Sequence, residues 1–143
     1  MAEAHVSGEL PLSQEDAWKL LSDLSRFEQW LTIHDTWKSE IPELAEGAKV
    51  TEQLTVMGMT NVIEWTIESY TPPSSLKISG TGLAGAQIAF TLSVAQAGPA
   101  SSTVSIDAGF TGQMMVGAIG QAVEKNATLE LDNSFAKLRE LAG

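Results

Sequence analysis

The chain has 143 residues, with 8 basic and 18 acidic side chains that give a net charge of −10; this length fits a single domain over residues 1–143. The negative charge opposes the attraction to phosphate on which non-specific nucleic-acid affinity depends, so direct binding of DNA or RNA is not expected. The lack of cysteine excludes disulfides and thiolate chemistry. The sequence shows no signal peptide and no apolar run long enough to span a membrane, so it predicts a cytoplasmic protein.

A strand and two short helices are predicted at the amino-terminal end. Apolar and polar residues alternate over residues 5–10, which predicts a half-buried strand that Pro11 ends. Ser13 stands three residues before Asp16, a capping pair that predicts the start of a helix. A second short helix is predicted to begin near Ser25, by the same kind of cap.

From residue 32 onwards the pattern changes to a period of two, which is typical of strands with one solvated face. The first of these strands carries Trp37 and Ile41 on one side and is predicted to end at Pro42. Further strands follow, and the turns that separate them are predicted at Gly47, Gly58–Asn61, Pro72–Pro73, Gly80–Gly85 and Ala97–Ser102.

The last thirty residues predict one long α-helix. No proline occurs between Gln113 and Leu141, and apolar residues recur every three or four positions. The early part of this stripe is rich in small residues, whereas the late part carries leucines and a phenylalanine. We therefore expect the helix to pack closely on the sheet at one end and to leave a cavity at the other. The stripe consists of Val116, Ile119, Val123, Ala127, Leu131, Phe135 and Leu138.

The element order predicts an α+β fold in which a curved antiparallel sheet of about six to seven strands wraps around the C-terminal helix, with two short helices after strand 1. This order resembles the helix-grip fold of the START/Bet v 1-like (SRPBCC) superfamily. Residues 10–31, LPLSQEDAWKLLSDLSRFEQWL, resemble its polyketide cyclase/dehydrase branch. The segments WLTIH at 30–34, GMTN at 58–61 and WTI at 65–67 resemble an actinobacterial group within that branch, some of whose members are described as toxins of type II toxin–antitoxin pairs.

The resemblance implies a cavity between sheet and helix for a small hydrophobic or aromatic molecule, polyketide- or lipid-like. Such a protein would carry or sense the molecule, or act on it as a polyketide cyclase/dehydrase. The alternative is a toxin held by an antitoxin partner, because this superfamily places many functions on one scaffold. Gly80, Gly82 and Gly85 fit either a cavity or close packing. The sequence leaves open whether the protein is a monomer or a homodimer.

Two residues are the candidates for proton transfer. Glu52 shares strand parity with Val50 and Leu54, which predicts a carboxylate facing the helix. His34 lies between two tryptophan-rich segments and could act as an acid or a base on an enolisable carbonyl. The structural alternatives are a Glu52 that reaches water at a strand end and a His34 that ties a loop together.

The predicted ligand site also includes aromatic side chains, whose flat apolar surfaces suit an aromatic ligand, and the side-chain amide of Asn61. Each aromatic side chain could instead belong only to the core. Asn61 is expected at the rim, unless it is only a turn residue. No second ligand stands at metal spacing from His34, so no metal site is predicted, and no cofactor is expected. The predicted ligand-binding residues are Trp30, Trp37, Asn61, Trp65, Phe90, Phe110, Met115 and Ile119.

Overall fold

A computed structural model describes residues 2–56, 58–82, 85–112 and 117–142 of the protein, apart from the side chains of Val56 and Met59. The described part forms one antiparallel sheet of seven strands in the order β1-β7-β6-β5-β4-β3-β2, so β1 and β2 are its edges. The strands are β1 (Ala2–Leu10), β2 (His34–Trp37), β3 (Lys49–Val56), β4 (Met59–Thr71), β5 (Ser75–Thr81), β6 (Gln87–Gly98) and β7 (Ser101–Thr111).

The three predicted helices are present, but the predicted helix cap at Ser25 is wrong. The backbone N–H of Ser25 donates at 3.0 Å to the side chain of Asp23, which caps a 3-10 turn, and the second short helix has no side-chain cap. The helices are α1 (Gln14–Ser22), the short α2 (Phe27–Trp30), which follows a 3-10 turn at Leu24–Arg26, and α3 (Gly117–Ala142). The Ser13 hydroxyl accepts a hydrogen bond from the backbone N–H of Asp16 at 3.3 Å, which confirms the predicted cap of α1. The prediction of an α+β helix-grip fold is confirmed.

The core lies between the sheet and α3. The buried face of α3 is formed mainly by Ala127, Leu131, Phe135 and Leu138. Gly8 of β1 lets the helix approach closely, because a Cβ atom there would lie 3.0 Å from the Phe135 ring.

The amino-terminal turns of α3 depart from the predicted stripe. Ile119 was expected to line the cavity, but it is 51% exposed, and Ala118 and Ala122 are also exposed. Gly120 is the one buried residue in this part of the described helix. The helix has 26 residues and is about 39 Å long, and its apolar periodicity includes amino-terminal residues that are not buried.

The predicted strand that carries Trp37 and Ile41 ends earlier than expected, since it spans His34–Trp37 and does not reach Pro42. It ends at Trp37 because the Ser39 hydroxyl, at 2.9 Å, accepts the backbone N–H of Thr51 in place of a backbone carbonyl. Ile41 lies beyond the strand and is 40% exposed.

Gly80 supports close packing of strands. A Cβ atom at this position would lie 2.6 Å from the backbone oxygen of Glu64 and 2.6 Å from Cγ2 of Ile63. The small residue at this site therefore allows two backbones to approach and does not enlarge a cavity. Gly85 has a φ of +76° with open space around it, as expected in a turn.

No helix in the described ranges combines the length and the apolar character that a membrane crossing requires.

Candidate functional site

Glu52 is a buried carboxylate on the inner face of β3. Its residue is only 2% exposed, and Val50 and Leu54, which share its strand parity, are buried beside it. Strand alternation therefore predicted its orientation correctly, and the alternative in which Glu52 reaches water is wrong. A buried carboxylate needs hydrogen-bond donors to offset its lost hydration.

Two side chains meet the Glu52 carboxylate. The indole Nε1–H of Trp65 on β4 donates to Oε1 at 2.8 Å, and Nδ1 of His34 on β2 is hydrogen-bonded to Oε2. The strand register brings the three side chains together. Trp65 of β4 pairs with Val50, two residues before Glu52 on β3, and His34 of β2 pairs with Leu54, two residues after it. The three residues form what we call the Glu52 cluster.

The Glu52 cluster fixes the tautomer of a neutral His34. An indole nitrogen can only donate, and a carboxylate oxygen accepts, so the consistent arrangement has Nδ1–H of His34 donating to Glu52. Nε2 then carries a lone pair, and within the described ranges no hydrogen bond reaches this atom. A carboxylate-oriented imidazole with a free Nε2 can accept a hydrogen bond or take up a proton.

Aromatic rings hold the His34 side chain, which is 3% exposed. Its ring centroid lies 4.9 Å from that of Trp37, and the ring of Phe27 in α2 approaches edge-on at 6.3 Å. These contacts restrict the imidazole to one orientation. The imidazole thus contacts two aromatic rings and one carboxylate.

His34 lines a cleft at the sheet edge, between β2 and α2. We call it the edge cleft; it has a volume of about 190 Å³ and is open to solvent. Its wall combines carboxylates, hydroxyls and apolar surface. The lining residues are Ser25, Glu28, His34, Asp35, Thr36, Trp37 and Ile41.

A second, apolar pocket lies between the sheet and α3. The space in this sheet–helix pocket that a water molecule can occupy is about 20 Å³, which is room for about one water molecule. The total space between its atoms, including the part open to solvent, is about 320 Å³. The wall that faces the pocket is apolar. Its lining residues are Leu31, Ile33, Phe90, Ala108, Phe110, Ala127, Glu130, Leu131 and Ser134.

Polar groups at the rim of the sheet–helix pocket bond to one another. The backbone N–H of Thr32 donates to the hydroxyl of Ser134 at 3.0 Å, and the Thr32 hydroxyl donates to the Glu130 carboxylate at 2.5 Å. These bonds join the segment after α2 to α3. Because these polar atoms are bonded to one another, the surface that remains inside the pocket is apolar. Leu31 and Ile33 form one side of this surface, and α3 forms the opposite side.

The full chain, residues 1–143, matches the family described as polyketide cyclase / dehydrase and lipid transport. The chain belongs to this family. The fold agrees: a START superfamily protein from Mycobacterium smegmatis superposes with a TM-score of 0.81 at 16% identity, covering 99% of this chain and 97% of that one. The protein TTHA0849 from Thermus thermophilus gives a TM-score of 0.78 at 14% identity, over 96% and 94% of the two chains.

Two proteins of Mycobacterium tuberculosis H37Rv are similar in sequence to this member of the polyketide cyclase / dehydrase and lipid transport family. Toxin Rv0910 is 40% identical over 124 residues, which cover 86% of this chain and 85% of the toxin. The uncharacterized protein Rv1546 is 30% identical over 144 residues, which cover both chains completely. The resemblance to the SRPBCC superfamily and to toxin-named relatives is thereby confirmed.

The structure divides the predicted site of this family member between two places. Phe90 and Phe110 line the sheet–helix pocket, whereas Trp37 and His34 line the edge cleft. Trp65 holds Glu52 from within the core.

The other predicted ligand-binding residues line neither described space. Trp30 is buried, and Asn61 is half-buried opposite Leu54. Ile119 faces solvent, and Met115 lies outside the described residues.

Some pocket residues were not predicted as ligand-binding. Ala127 and Leu131 belonged to the recognised stripe of α3, so their periodicity was the available signal. Leu31 and Ile33 come from an irregular segment, for which the sequence offers no periodicity. Among the described side chains, no group of three or more His, Asp or Glu residues could hold a metal ion.

Proposed function

We propose that this protein binds a small hydrophobic molecule, polyketide- or lipid-like, in the sheet–helix pocket. The observation that carries this proposal is the apolar wall of that pocket, at the place where α3 crosses the sheet. Apolar pockets with a few polar groups at the rim are the usual form of small-molecule sites. The family description, which names polyketide cyclases, dehydrases and lipid transport, supports the same class of ligand.

The sheet–helix pocket must widen to hold such a ligand. Small-molecule sites typically occupy several hundred Å³, whereas the room here is that of about one water molecule. The rim bonds of Thr32 to Glu130 and Ser134 are the polar contacts that close the pocket between α2 and α3. Each such bond contributes about 1 kcal/mol, which binding energy from a buried apolar ligand can offset.

Filling the pocket should weaken ligand binding. Ala127→Leu adds three carbon atoms to a buried lining residue, so we expect the affinity for naphthalene to fall at least about tenfold, by about 1.4 kcal/mol or more. The measurement is a titration followed by methyl NMR. Ala136→Leu, on the exposed side of the same helix, is the matched control and should bind as the parent does. Equal affinities for all three proteins would contradict the proposal.

We also propose cyclase/dehydrase-like proton transfer by His34 with Glu52. The orientation of the His34 imidazole by a buried carboxylate supports this role, because it leaves Nε2 with a lone pair that can accept a proton. His34→Gln should slow hydrogen–deuterium exchange next to the carbonyl of 2-tetralone by about 100-fold. His5→Gln is the control, since His5 pairs with Asp107 at an exposed position. Equal exchange rates would remove this role.

A toxin function is the second candidate, and the 40% identity to Toxin Rv0910 favours it. Under this hypothesis the protein acts through protein partners and is held by an antitoxin. Induced expression in a mycobacterial host should then arrest growth, and a co-expressed partner should relieve the arrest. Unchanged growth at confirmed expression would contradict the hypothesis.

A further inference from the structure

We propose that the ligand of the sheet–helix pocket carries a neutral hydroxyl group, which takes the place of the Thr32 hydroxyl between Glu130 and Ser134. This inference rests on the proposed function, because it names the chemical class of the ligand for the same pocket. It also makes Glu130 the residue that selects against ligands with a carboxylate end.

The apolar wall of the sheet–helix pocket determines where a polar group of a ligand can lie. Against that wall a polar group would lose its hydration without gaining a hydrogen bond. Among the described residues that line the pocket, only Glu130 and Ser134 have polar side chains. The polar end of a ligand is therefore expected beside these two residues, at the rim.

Thr32 occupies this polar position at the rim. Its hydroxyl donates to the Glu130 carboxylate at 2.5 Å and lies 3.1 Å from the Ser134 hydroxyl, and its backbone N–H donates to Ser134 at 3.0 Å. A hydroxyl has one hydrogen. Because the Thr32 hydroxyl donates that hydrogen to Glu130, the consistent arrangement has Ser134 donating to the Thr32 hydroxyl. The group between Glu130 and Ser134 thus donates one hydrogen bond and accepts another.

Widening of the pocket moves the Thr32 hydroxyl away from this position. Thr32 lies between Leu31 and Ile33, which form one side of the pocket, whereas Glu130 and Ser134 belong to α3 on the opposite side. A ligand that separates the two sides leaves the Glu130 carboxylate without its donor and the Ser134 hydroxyl, on a residue only 1% exposed, without its acceptor. Buried polar groups without partners are costly. A ligand hydroxyl restores both bonds, and a purely apolar ligand restores neither.

The charge of Glu130 selects against anionic ligands. No ion pair in the described part of the chain includes Glu130, and no lysine or arginine is among the described residues that line the pocket. A ligand carboxylate can accept from Ser134, but it has no hydrogen for Glu130 and brings a second negative charge close to it. The pocket should therefore prefer an alcohol or a phenol to a fatty acid or an aromatic acid.

Three probes with the same ring system test the inference: naphthalene, 2-naphthol and 2-naphthoate. At about pH 7.5 a phenol, with an ordinary pKa of about 10, is neutral, and a carboxylic acid, with one of about 4, is ionised. Methyl NMR titrations should show 2-naphthol binding at least about tenfold more tightly than naphthalene, which is the net effect of a hydrogen bond to a charged group. We expect 2-naphthoate to bind more weakly than either.

Glu130→Gln keeps the length of the side chain and one acceptor oxygen but removes the charge. It should reduce the preference for 2-naphthol over naphthalene about threefold and raise the affinity for 2-naphthoate about tenfold relative to naphthalene. Glu140→Gln, an equal charge change at an exposed position of α3, is the matched control and should leave both ratios unchanged. Each ratio is measured within one protein, so a general change in stability does not alter it.

Thr32→Val tests the exchange of hydroxyl groups separately, because it removes the hydroxyl that the ligand is proposed to replace. It should tighten the binding of naphthalene and of 2-naphthol alike. A loss of 2-naphthol affinity in this variant would mean that the ligand bonds to Thr32 itself, and it would overturn the inference.

Two other results would overturn the inference while naphthalene binding still supports the proposed function. They are equal affinities of the parent protein for naphthalene and 2-naphthol, and equal effects of Glu130→Gln and Glu140→Gln on the two ratios. If none of the three probes binds, the proposed function is contradicted, and the inference is contradicted with it.

Discussion

Leu131→Ala should lower the free energy of unfolding by about 3 kcal/mol, whereas Leu129→Ala should change it by less than about 0.5 kcal/mol. The two leucines are two positions apart on α3, but Leu131 is 3% exposed and Leu129 is 54% exposed. The first substitution removes buried methyl groups and enlarges a cavity, and the second removes surface that water already reaches. Urea denaturation followed by tryptophan fluorescence measures both effects.

Similar losses for the two leucine variants would mean that α3 does not pack on the sheet through the face that carries Ala127, Leu131, Phe135 and Leu138. The sheet–helix pocket would then lack the wall that α3 provides, and the proposed ligand site would be contradicted.

Glu52→Ala should also cost about 3 kcal/mol, although it removes a charge from an acidic protein. The carboxylate accepts hydrogen bonds from Trp65 and His34 in a buried site, so its removal leaves two donors without an acceptor. Glu64→Ala is the control on the same sheet, because the Glu64 side chain is 66% exposed and lies 3.8 Å from Lys49. This control should stay within about 0.5 kcal/mol of the parent protein.

Glu52→Gln tests the hydrogen bonds of the Glu52 cluster independently, through the tautomer of His34. A glutamine can still accept from Trp65 through its carbonyl oxygen, but its NH₂ group then faces Nδ1 of His34. The neutral imidazole should respond by moving its proton to Nε2, which long-range ¹H–¹⁵N NMR detects. An unchanged tautomer together with an unchanged stability would contradict the described role of Glu52.

Local rules predicted the fold and the orientation of Glu52. Alternation along β3 places Glu52 on the same face as Val50 and Leu54, and the cap at Ser13 marks the start of α1. Such signals depend only on neighbouring residues. They are therefore readable from one sequence.

The contacts of His34 could not be derived in this way. Its bond to Glu52 depends on the register between β2 and β3, which shifts between His34 and Thr36 through an irregularity in the ladder. Ile119 shows a limit of helical periodicity, which identifies an apolar stripe but does not tell which of its residues are buried. The edge cleft includes residues from turns, where no period exists.

Intermolecular NOEs between naphthalene and labelled methyl groups test the central claim most directly. The account predicts NOEs from bound naphthalene to the methyl groups of Ile33, Ala127 and Leu131, which line the sheet–helix pocket. It also predicts none to Leu129, which lies on the exposed side of α3. NOEs confined to exposed methyl groups, or no saturable binding of naphthalene, would contradict the claim that this family member holds a hydrophobic ligand between its sheet and α3.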